Sequence, residues 1–194
     1  MLNKYSKVKK QQLRTHYKKL RNALSTKQVA DFSIQIANLT LQLPIWDRSF
    51  FHVFLTIESL KEVITDPILS ILLGKDKHIV LSKSNFETRT LSHVLLQDNT
   101  RIKINSWNIP EPENGIAITT DQIEVIFIPL LAFDVHGNRV GYGKGFYDEF
   151  LKDCSNDTIK IGLSFFEAEA TIDGIESHDI SLDYCITPQK VYTF

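Results

Sequence analysis

The sequence predicts an α/β fold, a single-domain three-layer α/β/α sandwich built on a mostly parallel sheet. Two patterns carry that prediction. Short apolar runs of strand length alternate with segments of helical period, the order that gives parallel strands joined by helical crossovers. The most apolar run, EVIFIPLLAF at 124–133, reads as a strand buried in the middle of a sheet. The scale fits as well: 194 residues, 43% hydrophobic and 23% charged, have the make-up of an ordinary globular protein, and no repeat or linker divides them.

From about Lys4 to Leu24, the residues Leu13, Tyr17, Leu20 and Leu24 recur as on one helical face, and Lys10, Arg14, Lys18 and Arg21 form a second, basic stripe. Ser25 with Gln28 is a capping box that opens another helix. It turns Val29, Phe32, Ile36, Leu39 and Leu43 inward and must stop before Pro44. SFFHVFL (49–55) reads as a strand, and LKEVITDPILSILLG (60–74) as a helix closed by Gly74. KHIVLS (77–82) and SHVLLQ (92–97) are further strands, and the proline-rich stretch 108–115 is a loop. After the long apolar run come a helix from about Phe146, a strand at 159–165 and a last short strand at 183–187.

Composition narrows the function classes. A net charge of −1 gives no global attraction to nucleic acid or anionic membrane. Residues 1–30 do hold nine lysines and arginines and no acid, but with little aromatic interleaving and no RNA-binding signature. Two cysteines make neither a disulfide framework nor a zinc pattern, and the six histidines show no metal-ligand spacing; His178, beside Asp179, is the one to watch. The basic N-terminus is not followed by an apolar signal core, and no apolar run nears the roughly 18 residues of a membrane span. A cytoplasmic monomer is expected, with no nucleic acid or membrane partner.

RVGYGKGFYDEF (139–150) is the stretch that carries chemistry. It follows the apolar strand and precedes a helix, the place where open α/β sheets bind ligands. Gly141, Gly143 and Gly145 allow positive φ and close approach of backbone N–H groups to an oxyanion, and Arg139 and Lys144 add cations. The pattern suits phosphate. It is not a Walker A loop, since Lys144 is followed by Gly145 and Asn138 stands where the first glycine belongs; nor is it G-x-G-x-x-G, whose third glycine falls one residue later. Asp148 either serves the electrostatics of the helix start or holds Mg²⁺ against phosphate oxygens. Glu176, Asp179 and Asp183 are the candidate second acids.

On these residues the chain resembles, nearly end to end, the 5-formyltetrahydrofolate cyclo-ligase family, also called methenyltetrahydrofolate synthetases. KQQLR (10–14) is similar to the family's K-x-x-L-R, EVIT (62–65) to its E-x-x-T, and SWNIPEP (106–112) to its I-P-E-P loop. FDVHGNRVGYGKGFYD (133–148) is similar to its long glycine signature and HDISLD (178–183) to its H-D-x-x-x-D. The family often has a glutamine after the IGLSF strand and a proline where Gly174 stands; both are absent here.

The resemblance implies an ATP- and Mg²⁺-dependent closure of 5-formyltetrahydrofolate to 5,10-methenyltetrahydrofolate with release of ADP and phosphate. It further implies that Lys10, Arg14, Arg139 and the segment Gly141, Tyr142, Gly143, Lys144, Gly145, Phe146 and Tyr147 bind ATP. Arg139 and Lys144 are the implied catalytic cations, and Asp148 and Asp179 the implied Mg²⁺ ligands. Leu55, Glu62, Trp107, Tyr142 and Phe146 are implied to face the folate. For the aromatic residues among these, packing in the core is the other reading.

Overall fold

The structure, a computed structural model, describes residues 8–176 and 179–194. Its main sheet has eight strands: β1 (Phe50–His52), β2 (His78–Asn85), β3 (Thr90–Leu95), β4 (Ile116–Ile118), β5 (Val125–Pro129), β6 (Ile159–Leu163), β7 (Tyr184–Ile186) and β8 (Val191–Thr193). They run in the order β8-β7-β6-β5-β1-β2-β3-β4. The five in the middle, β7 to β2, are parallel to their neighbours, and the pairs at the edges (β7 with β8, β2 with β3, β3 with β4) are antiparallel. The fold is thus the expected α/β type with a mostly parallel sheet.

The helices are α1 (Lys10–Ala23), α2 (Thr26–Thr40), α3 (Asp66–Gly74) and α4 (Phe146–Lys152). Strand alternation splits the core into two faces. Phe51, Ile79, Val125, Phe127 and Ile161 point to one and meet Val29, Ile36 and Ala37 of α2 and Ile68 and Leu72 of α3. Val80, Ile126, Ile128 and Cys185 point to the other and meet Phe150 and Leu151 of α4. The third helix-bearing contact is off the sheet: Leu13 and Tyr17 of α1 pack on Leu131, Ala132, Val140 and Ile172. Ala132 and Val140 belong to a hairpin arm, Ala132–Phe133 against Arg139–Val140, that leaves the carboxyl end of β5.

Several boundaries differ from the sequence reading, each for a physical reason. The 124–133 run is not one strand; it ends at Pro129 and resumes in the arm. The helix expected over 60–74 starts at Asp66, with Pro67 in its first turn where a missing N–H costs nothing. Residues 58–60 form a single 3₁₀ turn, and Lys61 at φ 46° reverses the chain so that Glu62 enters the interior. Within 108–115, Pro110–Pro112 is a short strand paired antiparallel with Ile102–Ile104. On α1, Leu20 is 36% exposed while Arg21 is 6% exposed, the reverse of the expected faces. The capping box of α2 is present as read, with Ser25 Oγ accepting from the Gln28 N–H. Among the described residues no helix is long and apolar enough to cross a membrane.

Candidate active site

A cavity of about 400 Å³ opens beyond the carboxyl ends of β1 and β5, beside β2. The residues given a site role from the sequence lie on its wall: Lys10, Arg14, Leu55, Glu62, Trp107, Arg139, the whole run Gly141–Asp148, and Asp179. His178 lies outside the described residues. Of the three candidate acids near the C-terminus, Asp179 is the one that reaches the cavity wall. Asp183 instead accepts from the Lys160 backbone N–H at 2.7 Å.

One end of the cavity is built from charge and backbone. Helix α1 presents Lys10, Arg14 and Lys18 from a single stripe. Lys10 Nζ pairs with Asp179 Oδ2, and Arg14 Nε donates to the Gly141 carbonyl at 3.1 Å. Arg139, its side chain 7% exposed, donates from Nη2 to Asp148 Oδ1 at 2.6 Å. Between them the loop doubles back through Gly143 at φ 85° and Gly145 at φ 81°. A Cβ on Gly143 would lie 3.1 Å from the Arg14 guanidinium, so glycine lets helix and loop touch. Lys144 is exposed between these two glycines. Helix α4 has only seven residues, so its dipole is a minor contributor beside the loop N–H groups and the cations.

The other end is apolar. Phe54 and Leu55, the continuation of β1, face Phe86, Leu91, Trp107 and Ile109. The Phe86 and Trp107 rings stack with centroids 4.8 Å apart, and Phe146 meets Phe86 edge-on at 5.2 Å. Tyr147 also packs inward, edge-on to His52. Polar groups punctuate this wall: the buried Glu62 carboxylate, and Ser82 and Ser84 at alternate positions of β2. Burial pushes the Glu62 carboxyl above the ordinary range, opposed by hydrogen bonds from Tyr142 and the Ile57 N–H and by the charge of Arg21. Burial and the Glu62 charge likewise push the Tyr142 phenol up.

A divalent cation can be tested against this donor set. Among the described residues no group of three or more His, Cys, Asp or Glu side chains forms a metal cage. Asp148 and Asp179 share one cavity wall, which suits Mg²⁺ that arrives with phosphates and needs only one or two protein carboxylates. Each carboxylate is meanwhile balanced by a cation, Arg139 and Lys10 respectively.

Sequence reasoning did not find Ser82, Ser84, Phe86 or Arg21. The serines had a signal, the period-2 polar positions at the end of an otherwise apolar strand. Phe86 and Arg21 had none that separates them from ordinary surface or helix residues.

The fold is shared with solved structures. The fold aligns with an NMR structure of Aquifex aeolicus 5,10-methenyltetrahydrofolate synthetase at a TM-score of 0.77 and 24% identity, covering 95% of this chain and 92% of that one. A 5,10-methenyltetrahydrofolate synthetase from Mycoplasma pneumoniae aligns at a TM-score of 0.68 and 21% identity, covering 92% and 98%. These likenesses establish the fold. In sequence, the 5-formyltetrahydrofolate cyclo-ligase of Mus musculus is 28% identical over 90% of this chain and 91% of its own length. That of Haemophilus influenzae is 29% identical over 81% and 86%. The family model named 5-formyltetrahydrofolate cyclo-ligase family matches residues 6–188, almost the whole of the folded unit, and the chain belongs to that family.

Proposed function

We propose that this chain converts 5-formyltetrahydrofolate to 5,10-methenyltetrahydrofolate, using ATP and releasing ADP and phosphate, as a single cyclo-ligase domain. The observation that carries the reading is convergence. Segments as distant in sequence as Lys10, Glu62, Trp107, Gly141–Asp148 and Asp179 meet at one cavity, cationic and glycine-lined at one end, aromatic with a buried carboxylate at the other. A polyphosphate and a fused heterocycle need those two environments side by side.

The chemistry follows from the substrate. An N-formyl group is an amide whose oxygen leaves poorly. Transfer of the γ-phosphoryl group to that oxygen, with ADP departing, makes an electrophilic carbon and a good leaving group. The N10 lone pair then attacks the carbon, the C–O bond breaks, and phosphate departs with the N10 proton, leaving the conjugated methenyl cation. Phosphoryl transfer is governed by positioning and charge. Arg14, Arg139 and Lys10 hold the polyphosphate, the N–H groups of Gly141–Gly145 close on it, and Lys144 follows the charge that develops on the transferred group. Asp148 and Asp179 would hold Mg²⁺, which when bound would supply further neutralisation of the phosphates. Glu62 and the Leu55 neighbourhood orient the folate, with Trp107, Tyr142 and Phe146 around its rings, which brings N10 to the activated carbon. We further take the protein to act as a cytoplasmic monomer without nucleic acid or membrane partners.

The test is direct: mix protein, 5-formyltetrahydrofolate, ATP and Mg²⁺ and follow the near-ultraviolet absorbance of the methenyl product. A rise that requires both ATP and metal is expected. No rise with folded protein, or a rise without ATP, would overturn the assignment.

A further inference from the structure

Arg21 adjoins this site without belonging to any motif, and nothing in the mechanism above uses it. It lies in the last turn of α1, 6% exposed. Its Nη2 donates to the Leu130 carbonyl at 2.6 Å and its Nη1 to the Tyr142 hydroxyl at 2.6 Å. A guanidinium only donates, so the Tyr142 oxygen must accept from it and direct its own proton elsewhere. That proton goes to Glu62 Oε1, 2.6 Å away. The other carboxylate oxygen, Oε2, accepts the Ile57 N–H at 2.8 Å. The relay is therefore directional, from cation through phenol to carboxylate, and both Glu62 oxygens are left as acceptors with lone pairs to spare on a residue that lines the cavity.

Stability alone is a poor reason for this arrangement. Arg21 Nε has no partner among the described residues, and a buried ionic group that is incompletely satisfied is often no better than an apolar replacement. We propose that Arg21 is a positioning residue of this site: acting through Tyr142, it fixes Glu62 as an ionised acceptor for the adjacent N–H donors of a pterin-like heterocycle. The identity of that ligand rests on the cyclo-ligase reading; the relay itself does not.

The charged and titratable groups around Glu62 are few. Arg21 comes from α1, and Lys18 of the same helix stands over the Tyr142 ring at 5.8 Å. Tyr142 and Tyr147 come from the glycine segment, and both phenols are pushed up by burial, so they keep their protons throughout the neutral range. Glu62 is then the group that titrates, and Arg21 opposes the upward push of burial on it. Removing Arg21 moves the Glu62 titration higher, and a protonated Glu62 no longer offers two acceptors to paired donors.

The experiment has two arms, using Arg21→Met, Glu62→Gln, the double variant and Arg21→Lys. In the first, binding of 5-formyltetrahydrofolate without ATP is measured by calorimetry from mildly acid to mildly alkaline pH, following a carboxyl pushed upward by burial. Arg21→Met is expected to bind about tenfold more weakly near neutral pH, the scale of one lost charge-assisted contact, and to recover as pH rises, its midpoint displaced upward. Arg21→Lys, which keeps the cation, is expected to hold the wild-type midpoint. A uniform loss with an unmoved midpoint overturns the proposal. The second arm is a double-mutant cycle on thermal midpoints. Glu62→Gln is expected to restore much of what Arg21→Met loses; if Arg21→Met alone fails to fold, a folded double variant is expected, and strictly additive midpoints, or a double variant that also fails to fold, overturn the relay. Wild-type protein that binds no folate overturns the cyclo-ligase reading, and the melting cycle then decides the relay by itself.

Discussion

Lys144 stands exposed between two glycines held in the left-handed region, so its side chain contributes nothing to the core. A residue so placed can be removed without a stability cost beyond the few tenths of a kcal/mol typical of surfaces. If it follows the transferring phosphoryl group, its loss removes an interaction made mainly in the transition state. Lys144→Ala is therefore expected to lower kcat by on the order of 10²–10³, the range for deleting one preorganised electrostatic contact. Its melting temperature should stay near that of the wild type. Stopped-flow or steady-state absorbance with paired melting curves checks both halves, and turnover within about threefold of wild type removes Lys144 from the mechanism.

At the scale of elements, the cavity depends on how closely α1 and the 141–145 loop approach. Arg14 lies against Gly143, where a Cβ would come within 3.1 Å of the guanidinium at a backbone φ of 85°. Gly141 differs: a Cβ there meets nothing within 4 Å, and its φ is not in the left-handed region. Gly143→Ala should weaken nucleotide binding by about tenfold, because strain of order 1–3 kcal/mol must be relieved by moving loop or arginine. Gly141→Ala should leave it within about threefold, its backbone being unstrained. Calorimetric titration with a non-hydrolysable ATP analogue distinguishes them, and equal losses would refute the contact argument. The same element shows what a sequence can and cannot disclose. Glycines alternating with charge after an apolar strand are a local pattern, and so is the Ser25–Gln28 capping box; both are legible. Leu60, Val63 and Ile64 have helical spacing too, yet they precede the helix, because Pro67 marks its first turn and the chain must first bring Glu62 inside. The basic stripe of α1 is visible as a stripe, but its last member, Arg21, is core rather than surface because Tyr142 and the Leu130 carbonyl wait for it, 121 and 109 residues away. Strands of three residues such as β4 and β8 have too few positions to show a period, and only their sheet neighbours define them.

For the molecule as a whole, the sheet carries a buried polar cluster that spans three neighbouring strands. His52, on central strand β1, is fully buried, and His93, on β3, is 4% exposed. Both bond the hydroxyl of Ser82 on the intervening β2, His52 Nε2 at 2.6 Å and His93 Nδ1 at 3.0 Å, beneath the Phe150 ring of α4. Burial lowers both imidazoles, His93 from its ordinary 6.5 to about 4 and His52 well below its ordinary value, where the neighbouring His93 adds to the effect. The sign follows from linkage. The unfolded chain takes up protons on these groups near pH 6.5 while the folded protein does not, so the contribution to stability is intact above 6.5 and is lost as pH falls towards 4. For His93 alone the loss between about pH 7.5 and pH 5 is about 2 kcal/mol, since each tenfold difference in proton affinity between folded and unfolded chain is worth roughly 1.4 kcal/mol. Glu62, pushed up by burial, acts with the opposite sign and is common to wild type and variant, so it cancels in their difference. His93→Gln keeps a partner for Ser82 but cannot take up the proton. Urea unfolding at the two pH values should therefore show the variant losing about 2 kcal/mol less than the wild type on acidification, whatever its starting stability. Parallel losses in the two proteins would mean that His93 takes up its proton as readily in the folded protein as in the unfolded chain, and that it plays no part in the acid sensitivity of this sheet.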